Sequence, residues 1–405
     1  MKVPRILLIA LQHLYRCLPK RYVIVHGFYG AGNVGDEAIL AATLDAIRES
    51  GAEPFVFAWK PERVRADFDV PSLNPHHARK VAVWYVLLQS HAYLLGGGGL
   101  IKDFGGSPRS LGRWIDLLDA ARRLGVRTMT WSVGVENLFY PESRARVREV
   151  LEHVDVVTVR DVCSAERLCE VGVKRNVIVT ADPVPFLART WRSRRHINRG
   201  LRIAVCVREW YSSKRELEDP EAFGRCLDAL AEALDHVLEH HGASVTFVPF
   251  RTVEGDDDRE VGRAVMQRMR NMATLIETAD PSVDETLYQV AEADLVIAMR
   301  LHAAVMASSM GIPTLALAYM PKVRDYMSEI QQERFCLSMD EVTADRLITQ
   351  VELLIAESEA LSVDLMQRTD ELADAFVQNG RLLQGLIEEG QLDAKKNVKS
   401  QRVHD

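Results

Sequence analysis

The chain has 405 residues, which is enough for two hydrophobic cores. Its hydrophobic content of 47% and charged content of 26% are typical of folded globular proteins. The 57 acidic and 50 basic residues give a net charge of -7, which excludes the basic surface of a nucleic-acid-binding protein. The six cysteines form no Cys-x-x-Cys pair, so we expect reduced thiols, a cytoplasmic location and no zinc site.

The chain begins with a short apolar segment, ILLIAL, that follows Lys2 and Arg5. Gln12 and Arg16 end the apolar run, no small-residue cleavage site follows, and the segment is far too short to span a bilayer. We therefore predict an amphipathic helix over residues 4–18 that packs on the body of the protein. The basic residues around it leave open a second interpretation, weak contact with an anionic membrane surface at the inner face of the cell membrane.

The first half of the chain alternates short β-rich runs with amphipathic stretches, a pattern typical of a parallel sheet wrapped by helices. A run rich in prolines and arginines at 181–200 breaks the alternation and predicts an inter-domain linker. We expect an N-terminal Rossmann-like domain over residues 1–190. Its strands are predicted at 22–28, 54–59, 92–95, 128–133 and 156–159, and its helices at 36–50, 77–89, 109–124 and 161–170.

A second alternation follows and predicts a C-terminal Rossmann-like domain over residues 200–340. Beyond it we expect a helical segment at 341–392 and a disordered tail at 393–405. The predicted fold class is α/β, with two doubly wound parallel-sheet domains that face a cleft, where ligands lie beyond the carboxyl ends of the strands. The strands of this second domain are predicted at 202–207, 244–250, 273–277, 294–299 and 313–319, and its helices at 220–241, 258–270, 283–293, 301–310 and 322–330.

A glycine-rich loop, GFYGAGNVGDEAIL, follows the first strand and contains the pattern G-x-G-x-x-G at Gly30, Gly32 and Gly35. Glycines let the backbone turn sharply near a ligand, and the helix start that follows presents N–H groups to an anion. An NAD site is disfavoured, because the next strand ends at Trp59 and Lys60 without the acidic residue that would bind the ribose.

Three polar residues, Asn33, Asp36 and Glu37, lie in or beside the same loop. The two acids favour the helix but repel a phosphate, so they either cap the helix or bind the hydroxyl groups of a sugar. A second glycine loop, LLGGGGLIKD, places Gly97, Gly98 and Gly99 after a buried strand. Consecutive glycines indicate a backbone that lies close to something, either a substrate or another packed element.

Positively charged residues recur where strands end. Arg300 and His302 follow a strand at the turn into a helix of small residues, and Lys322 follows the next strand. Arg208 ends the first strand of the second domain, and Arg160 ends a strand of the first. Each could instead pair with a nearby carboxylate, but a recurring set predicts a site for a small polyanionic substrate. A guanidinium can hold a carboxylate or phosphate in bidentate fashion, and an imidazole can act as an acid or base.

With these residues the sequence resembles the polysaccharide pyruvyl transferase family. The resemblance runs from about residue 22 to 335 and is carried by the first glycine loop, the G-G-G-G loop, A-D-P at 181–183, and R-L-H…G-I-P…Y…K at 300–322. It implies two Rossmann-like domains arranged as in GT-B glycosyltransferases. It also implies transfer of enolpyruvate from phosphoenolpyruvate to a sugar, with formation of a pyruvate ketal and release of phosphate.

The resemblance also implies roles for individual residues. Arg208, Arg300 and His302 would contact phosphoenolpyruvate, with His302 as proton donor or phosphate partner, while Arg160 and Lys322 would assist. The glycine loops of the first domain would face the acceptor, and Asp36 or Glu37 would be the base toward its hydroxyl group. The sequence looks most like the cell-wall type, whose acceptor is N-acetylmannosamine on a lipid-linked precursor.

Several points stay open at this stage. We expect no cofactor or metal ion beyond phosphoenolpyruvate as co-substrate, and we interpret the acidic run EGDDDRE at 254–260 as a solvated helix start. The main alternative is a GT-B-type nucleotide-sugar glycosyltransferase. Retaining members often carry two glutamates before a G-x-P turn, whereas this chain has Ala298 and Met306 there. A non-catalytic glycan-binding protein is the other alternative, and the acceptor and oligomeric state, including a homo-oligomer, stay undetermined.

Overall fold

The computed structural model describes residues 5–103, 108–195, 200–210 and 220–401. The chain divides into two compact units. The first unit comprises Met1–Ala31, Ile39–Pro183 and Asp374–Asp405, and the second comprises Gly32–Ala38 and Val184–Ala373. Among the helices of the described residues, none is long and apolar enough to cross a membrane.

The first unit is built on a seven-stranded sheet in which all strands are parallel, in the order β3-β2-β1-β4-β5-β6-β7. Its strands are β1 (Tyr22–His26), β2 (Glu53–Phe57), β3 (Ser72–Leu73), β4 (Ser90–Gly96), β5 (Arg127–Val133), β6 (Val156–Val159) and β7 (Val177–Val179). The helices of this part of the chain are α1 (Arg5–Cys17), α2 (Val34–Glu49), α3 (Pro61–Phe68), α4 (Lys80–Leu88), α5 (Pro108–Leu124), α6 (Pro141–Leu151) and α7 (Val162–Val171).

The core of the first unit forms because its central strands are apolar on both faces. Val23, Ile24 and Val25 of β1 are fully buried, as expected for a parallel strand with helices on both sides. Helices α4, α5 and α6 add buried leucines and valines to the same core. The predicted helix over residues 4–18 is confirmed as α1, and Leu11 and Tyr15 of α1 pack against this core.

The second unit has a six-stranded parallel sheet in the order β12-β9-β8-β13-β14-β15. Its strands are β8 (Arg202–Cys206), β9 (Ser244–Phe247), β12 (Thr274–Leu275), β13 (Leu295–Ala298), β14 (Thr314–Ala318) and β15 (Cys336–Ser338), with a two-stranded ribbon of β10 (Thr252–Val253) and β11 (Asp256–Asp257). The helices that follow in the chain are α8 (Val184–Ala188), α9 (Pro220–His241), α10 (Asp258–Met266), α11 (Val283–Ala291), α12 (Leu301–Ser309), α13 (Pro321–Glu329), α14 (Ala344–Ala356) and α15 (Ser358–Gln401), with short 3-10 turns at Arg189–Arg194, Glu333–Phe335 and Met339–Glu341.

Both sheets therefore start from a central first strand and grow outward on both sides, the strand order of a doubly wound Rossmann-like domain. The predicted fold class of two such parallel-sheet domains is confirmed. In these sheets the chain crosses from one face to the other beside the first strand, and ligands bind at the carboxyl edge there. In the second unit this point lies between β8 and β13, which are neighbours in the sheet.

The units differ from the predicted domains at two boundaries. Gly32–Ala38, at the start of α2, groups with the second unit rather than with residues 1–190. The predicted helical segment at 341–392 is helical as α14 and α15, and α15 continues from the second unit into the first at Asp374. The tail predicted to be disordered at 393–405 is helical through Gln401, and 402–405 lie outside the described residues.

Candidate active site

Four neighbouring strands of the second unit end in polar side chains at one edge of the sheet. The order β9-β8-β13-β14 places these strand ends side by side, and all four strands run parallel. Because parallel strands present their carboxyl ends at the same edge, the residues that follow them converge. Those residues are Arg251 after β9, Arg208 after β8, Arg300 after β13, and Tyr319 after β14.

Arg300 is held by a buried carboxylate. Its Nε and Nη2 donate to the two oxygens of Asp258 at 3.0 and 2.5 Å, a bidentate pair. Asp258 also accepts hydrogen bonds from the backbone N–H groups of Phe250 and Arg251. Burial acts to lower the pKa of Arg300, but Asp258 and Asp256 outweigh it, and the net pKa lies above the usual arginine value. The guanidinium is therefore charged and fixed in direction.

Asp256 joins three arginines. Its Oδ1 accepts from Nη2 of Arg208 at 3.3 Å and from Nη2 of Arg300 at 3.2 Å. Its Oδ2 lies 3.2 Å from Nε of Arg251. The β10–β11 ribbon carries Asp256 into this position, since Asp256 is the first residue of β11. One carboxylate therefore organises three guanidinium groups into a single cluster, which we call the arginine cluster: Arg208, Arg251 and Arg300.

The three guanidinium groups of the arginine cluster act on one another as well as on the carboxylates near them. Three guanidinium groups face the two carboxylates of Asp256 and Asp258. Burial is the main reason that the pKa of Arg251 is lowered; Asp256 opposes this effect, and Arg300 adds to it. Such mutual repulsion is relieved when an anion binds, so the cluster is suited to a small anionic ligand.

Tyr319 extends the cluster toward α13. Nη1 of Arg208 donates to the Tyr319 hydroxyl at 3.2 Å, and the Arg208 guanidinium lies 4.9 Å from the centre of the Tyr319 ring. Lys322 is half-buried at the second position of α13, which follows β14. It belongs to the same sheet edge as Arg300, because β13 and β14 are paired and parallel.

His302 lies in the first turn of α12, directly after Arg300, which is the N-cap residue of that helix. Every other residue of α12 is buried, and His302 alone is half-buried. The small side chains of α12, four of which are alanine or serine from Ala303 to Ser308, let the helix pack closely on the sheet. The N-terminal end of a helix favours negative charge, so the N-terminus of α12 would stabilise an anion near His302 in addition to the stabilisation that the arginines provide.

The start of α2 belongs to the same group of residues. The N–H of Val34 donates to the carbonyl oxygen of Phe250 at 3.0 Å, and Asn33 forms an antiparallel bridge with Arg251. Asn33 also donates to the Asp36 carboxylate, which is therefore tied to the residue that pairs with Arg251, and Asp36 opposes the lowering of the Arg251 pKa that burial causes. The prediction assigned Gly32–Glu37 to the acceptor side of the N-terminal domain, whereas this segment packs on the second unit beside the cluster.

The polar residues of this segment order its turn. The side-chain amide of Asn33 donates to Asp36 at 2.5 Å, and its carbonyl oxygen accepts from the N–H of Gly35 at 3.3 Å. Asp36 is half-buried, whereas Glu37 is only 2% exposed. Of the two acids, Asp36 is thus the more accessible to a ligand.

Gly35 is in close contact with the imidazole ring of His302. A Cβ atom placed on Gly35 would overlap the ring atoms Nδ1 and Cγ. We therefore expect Gly35→Ala to displace His302, the proton donor or phosphate partner that the sequence predicts, and to lower kcat/KM about 100-fold, as a displacement of about 1 Å does for a catalytic group. Steady-state kinetics of the purified variant measure this effect.

Gly224→Ala is the matched control, since Gly224 is also near the start of a helix and a Cβ there would meet nothing within 4 Å. It should leave both kcat/KM and the melting temperature nearly unchanged. Wild-type kinetics for Gly35→Ala would show that His302 does not need its observed position.

Arg160 lies in the first unit with its own carboxylates. It follows β6, its Nε donates to Asp161 at 2.9 Å, and its Nη1 lies 3.8 Å from Asp182. Asp182 belongs to the A-D-P motif at 181–183, so that motif supports Arg160. The structure therefore groups Arg160 with Asp161 and Asp182 within the first unit, whereas the arginine cluster belongs to the second unit.

The remaining predicted glycines are in the first unit, apart from Gly32, which lies in the second. Gly30 is beside the backbone of Lys60, and Gly99 is beside Glu136. Gly97 has a φ of 69°, and a Cβ there would overlap Ile39 of α2, so packing alone requires a glycine. The carbonyl oxygen of Gly98 accepts a hydrogen bond of 2.8 Å from the N–H of Gly134, the residue that follows β5.

Sequence reasoning missed one member of the arginine cluster, Arg251, and the two carboxylates that hold it together, Asp256 and Asp258. The acidic run at 254–260 does contain the start of helix α10, but its interpretation as solvated is wrong for Asp258, which is 3% exposed, and both Asp256 and Asp258 bind buried Arg300. Arg251 follows a strand in the same way as Arg208 and Arg300, and that shared pattern is the signal by which it could have been found.

Comparison with solved structures defines the class of fold. The chain is similar to UDP-GlcNAc 2-epimerase from Neisseria meningitidis bound to UDP-GlcNAc (TM-score 0.58, 13% identity, 92% of this chain and 100% of that chain covered). It is also similar to MnaA of S. aureus in complex with UDP (TM-score 0.58, 13% identity, 88% of this chain and 93% of that chain covered). A third similar structure is a glycosyltransferase from Rickettsia africae ESF-5 (TM-score 0.53, 11% identity, 94% of this chain and 100% of that chain covered). At these identities the likeness shows the GT-B-like fold alone.

The family is shown by the sequence itself. The family model described as polysaccharide pyruvyl transferase matches residues 33–320, so this chain belongs to that family of enzymes. The matched range begins at Asn33 and ends just after Tyr319, and it contains the whole arginine cluster. A search of curated proteins gives no match.

Proposed function

We propose that this protein transfers the pyruvyl group of phosphoenolpyruvate to a sugar of a cell-wall or exopolysaccharide precursor. The observation that carries the proposal is the arginine cluster, in which Arg208, Arg251 and Arg300 share Asp256 beside His302. Phosphoenolpyruvate carries a carboxylate and a phosphate on the same carbon atom, and it therefore needs several cationic contacts within a small volume. Family membership supports pyruvyl transfer to a polysaccharide, and the cluster supports this donor.

Arg208 and Arg300 act mainly as fixed charges in this proposal. Both are nearly buried, and Asp258 takes the bidentate face of Arg300. The bidentate contact from Arg300 to substrate that the sequence suggested is therefore replaced by one to Asp258. Arg251, His302, Lys322 and Tyr319 are half-buried and are the residues that we expect to contact the donor. Preorganised charges of this kind stabilise a transition state by a few kcal/mol for each donor, on the order of 3 kcal/mol.

The proposed reaction forms two C–O bonds, breaks one, and accounts for every proton. A proton is added to the methylene carbon of phosphoenolpyruvate, and the adjacent carbon becomes electrophilic. One acceptor hydroxyl forms a C–O bond to that carbon, the bond to the phosphate oxygen breaks, and a second hydroxyl closes the ketal. Of the two protons that the hydroxyls lose, one balances the proton added to carbon and the other leaves with phosphate.

His302 is the proposed proton donor or phosphate partner. It is half-buried in the first turn of α12, directly after Arg300. Asp36 is the proposed base toward an acceptor hydroxyl, since it is half-buried and lies close to Arg251, whereas Glu37 is buried. N-acetylmannosamine on a lipid-linked precursor is the acceptor that we propose to test first.

Phosphate release tests the proposal. The enzyme is incubated with phosphoenolpyruvate and saccharides that include N-acetylmannosamine derivatives, and inorganic phosphate is measured with mass analysis of the saccharide. We expect phosphate release that depends on the acceptor and a product that carries an acid-labile pyruvate ketal. Release of UDP from a UDP-sugar, with no consumption of phosphoenolpyruvate, would instead identify a nucleotide-sugar glycosyltransferase.

A further inference from the structure

The first unit exposes apolar side chains on two helices that contact each other, α1 and α4. Ile6 is 85% exposed and Val81 is 78% exposed, although the opposite side of α1 packs on the core through Leu11 and Tyr15. Six of the fourteen large hydrophobic side chains that are exposed among the described residues lie on these two short helices. We call these six the α1–α4 face: Ile6, Leu7, Ile9, Leu14, Val81 and Tyr85.

This concentration is unusual for a surface in water. Single exposed hydrophobic residues are normal, but a group of them on neighbouring elements marks an interaction site. Helix α1 buries one side against the protein and turns a second apolar side outward, so folding of this chain alone does not account for its composition.

The segments that form the α1–α4 face are opposite in charge to the whole chain. The chain has 57 acidic residues and a net charge of -7, yet residues 1–35 and 70–102 contain neither aspartate nor glutamate. Arg16 on α1, and Arg79 and Lys80 at the start of α4, are exposed beside the apolar side chains. A basic rim around an apolar centre is the pattern by which amphipathic helices bind anionic lipid.

We propose that the α1–α4 face binds an anionic membrane surface. Helix α1 would lie in the plane of the interface, with Ile6 and Ile9 at the boundary of the acyl chains and Arg16 and Lys80 against the headgroups. A second copy of the chain fits this face less well, since a twofold contact would set basic residues against basic residues. The proposal goes beyond pyruvyl transfer and does not depend on it.

Flotation with lipid vesicles tests this proposal. Full-length protein is mixed with vesicles of equal parts phosphatidylcholine and phosphatidylglycerol, or of phosphatidylcholine alone, and the floating fraction is measured. We expect flotation with the anionic vesicles only, and its loss at high salt. The double variants Ile6→Gln/Ile9→Gln and Arg16→Gln/Lys80→Gln should each weaken binding about tenfold or more.

Met272→Gln and Val363→Gln are the matched controls, because these side chains are 93% and 65% exposed but lie outside the α1–α4 face. They should float as the wild type does. The absence of flotation with anionic vesicles, or flotation that the Ile6 and Ile9 changes leave intact, would overturn the proposal. So would a dimer in solution that the same two changes dissociate while no vesicle binding is found, because the face would then be a contact between copies.

Discussion

His302→Ala should abolish pyruvyl transfer while the protein stays folded. The imidazole is the group that we propose for proton donation or for binding the phosphate, and a positioned acid or base contributes about 100- to 10,000-fold to a rate. We therefore expect kcat to fall by about that factor, with a circular dichroism spectrum and a melting temperature close to those of the wild type. The fold should tolerate the change because His302 is half-buried, whereas the other residues of α12 are buried in the core.

His241→Ala is the control for this experiment. His241 is also in the second unit, where it contacts Glu352 at 2.8 Å, away from the strand ends that carry the cluster. Its substitution should leave kcat unchanged. Full activity of His302→Ala would remove His302 from the mechanism and would leave Lys322 and Arg251 as the donor contacts to test next.

Asp258→Asn should cause the largest loss of stability among the substitutions considered. The carboxylate holds Arg300 in a bidentate pair, and both side chains are nearly inaccessible to water. Asparagine has a similar size, but it leaves the positive charge of Arg300 buried with only Asp256 beside it. Breaking a buried ion pair on one side costs about 3–5 kcal/mol, so we expect a decrease of about 3 kcal/mol in the free energy of unfolding.

Chemical denaturation measures this decrease, with Asp228→Asn as the control. Asp228 also pairs with an arginine, Arg268, at 2.8 Å, but both side chains are exposed. An exposed pair contributes about 0–1 kcal/mol, so the control should be nearly neutral. Equal losses in the two variants would show that the buried pair does not hold the cluster together.

Much of the fold could be predicted from periodicity. Parallel strands such as β1 and β13 are continuous apolar runs, and helices between them are amphipathic, so their order follows from the sequence alone. The short strands β3, β7 and β15 were not predicted, since two or three residues such as Ser72–Leu73 carry no period. The ribbon formed by β10 and β11 was missed for the same reason, and Asp256 was missed with it.

The candidate site shows a second limit. Strand-end positions identified Arg208, Arg300 and His302, because the topology of a parallel sheet brings such positions together. The sequence did not reveal that Gly32–Ala38 packs beside Arg251, because that contact joins segments more than two hundred residues apart. The partners of a charge depend on tertiary structure, so Asp258 could not be assigned to Arg300 from sequence.

Calorimetric binding of phosphoenolpyruvate tests the central claim most directly. The wild-type protein and Arg208→Ala are titrated with phosphoenolpyruvate, a UDP-sugar and NAD in parallel. The arginine cluster predicts saturable binding of phosphoenolpyruvate by the wild type, and affinity at least about tenfold weaker in Arg208→Ala, because a fixed charge close to a bound anion contributes on the order of 3 kcal/mol in a poorly solvated site. No binding of phosphoenolpyruvate, together with saturable binding of the UDP-sugar, would contradict the proposed donor.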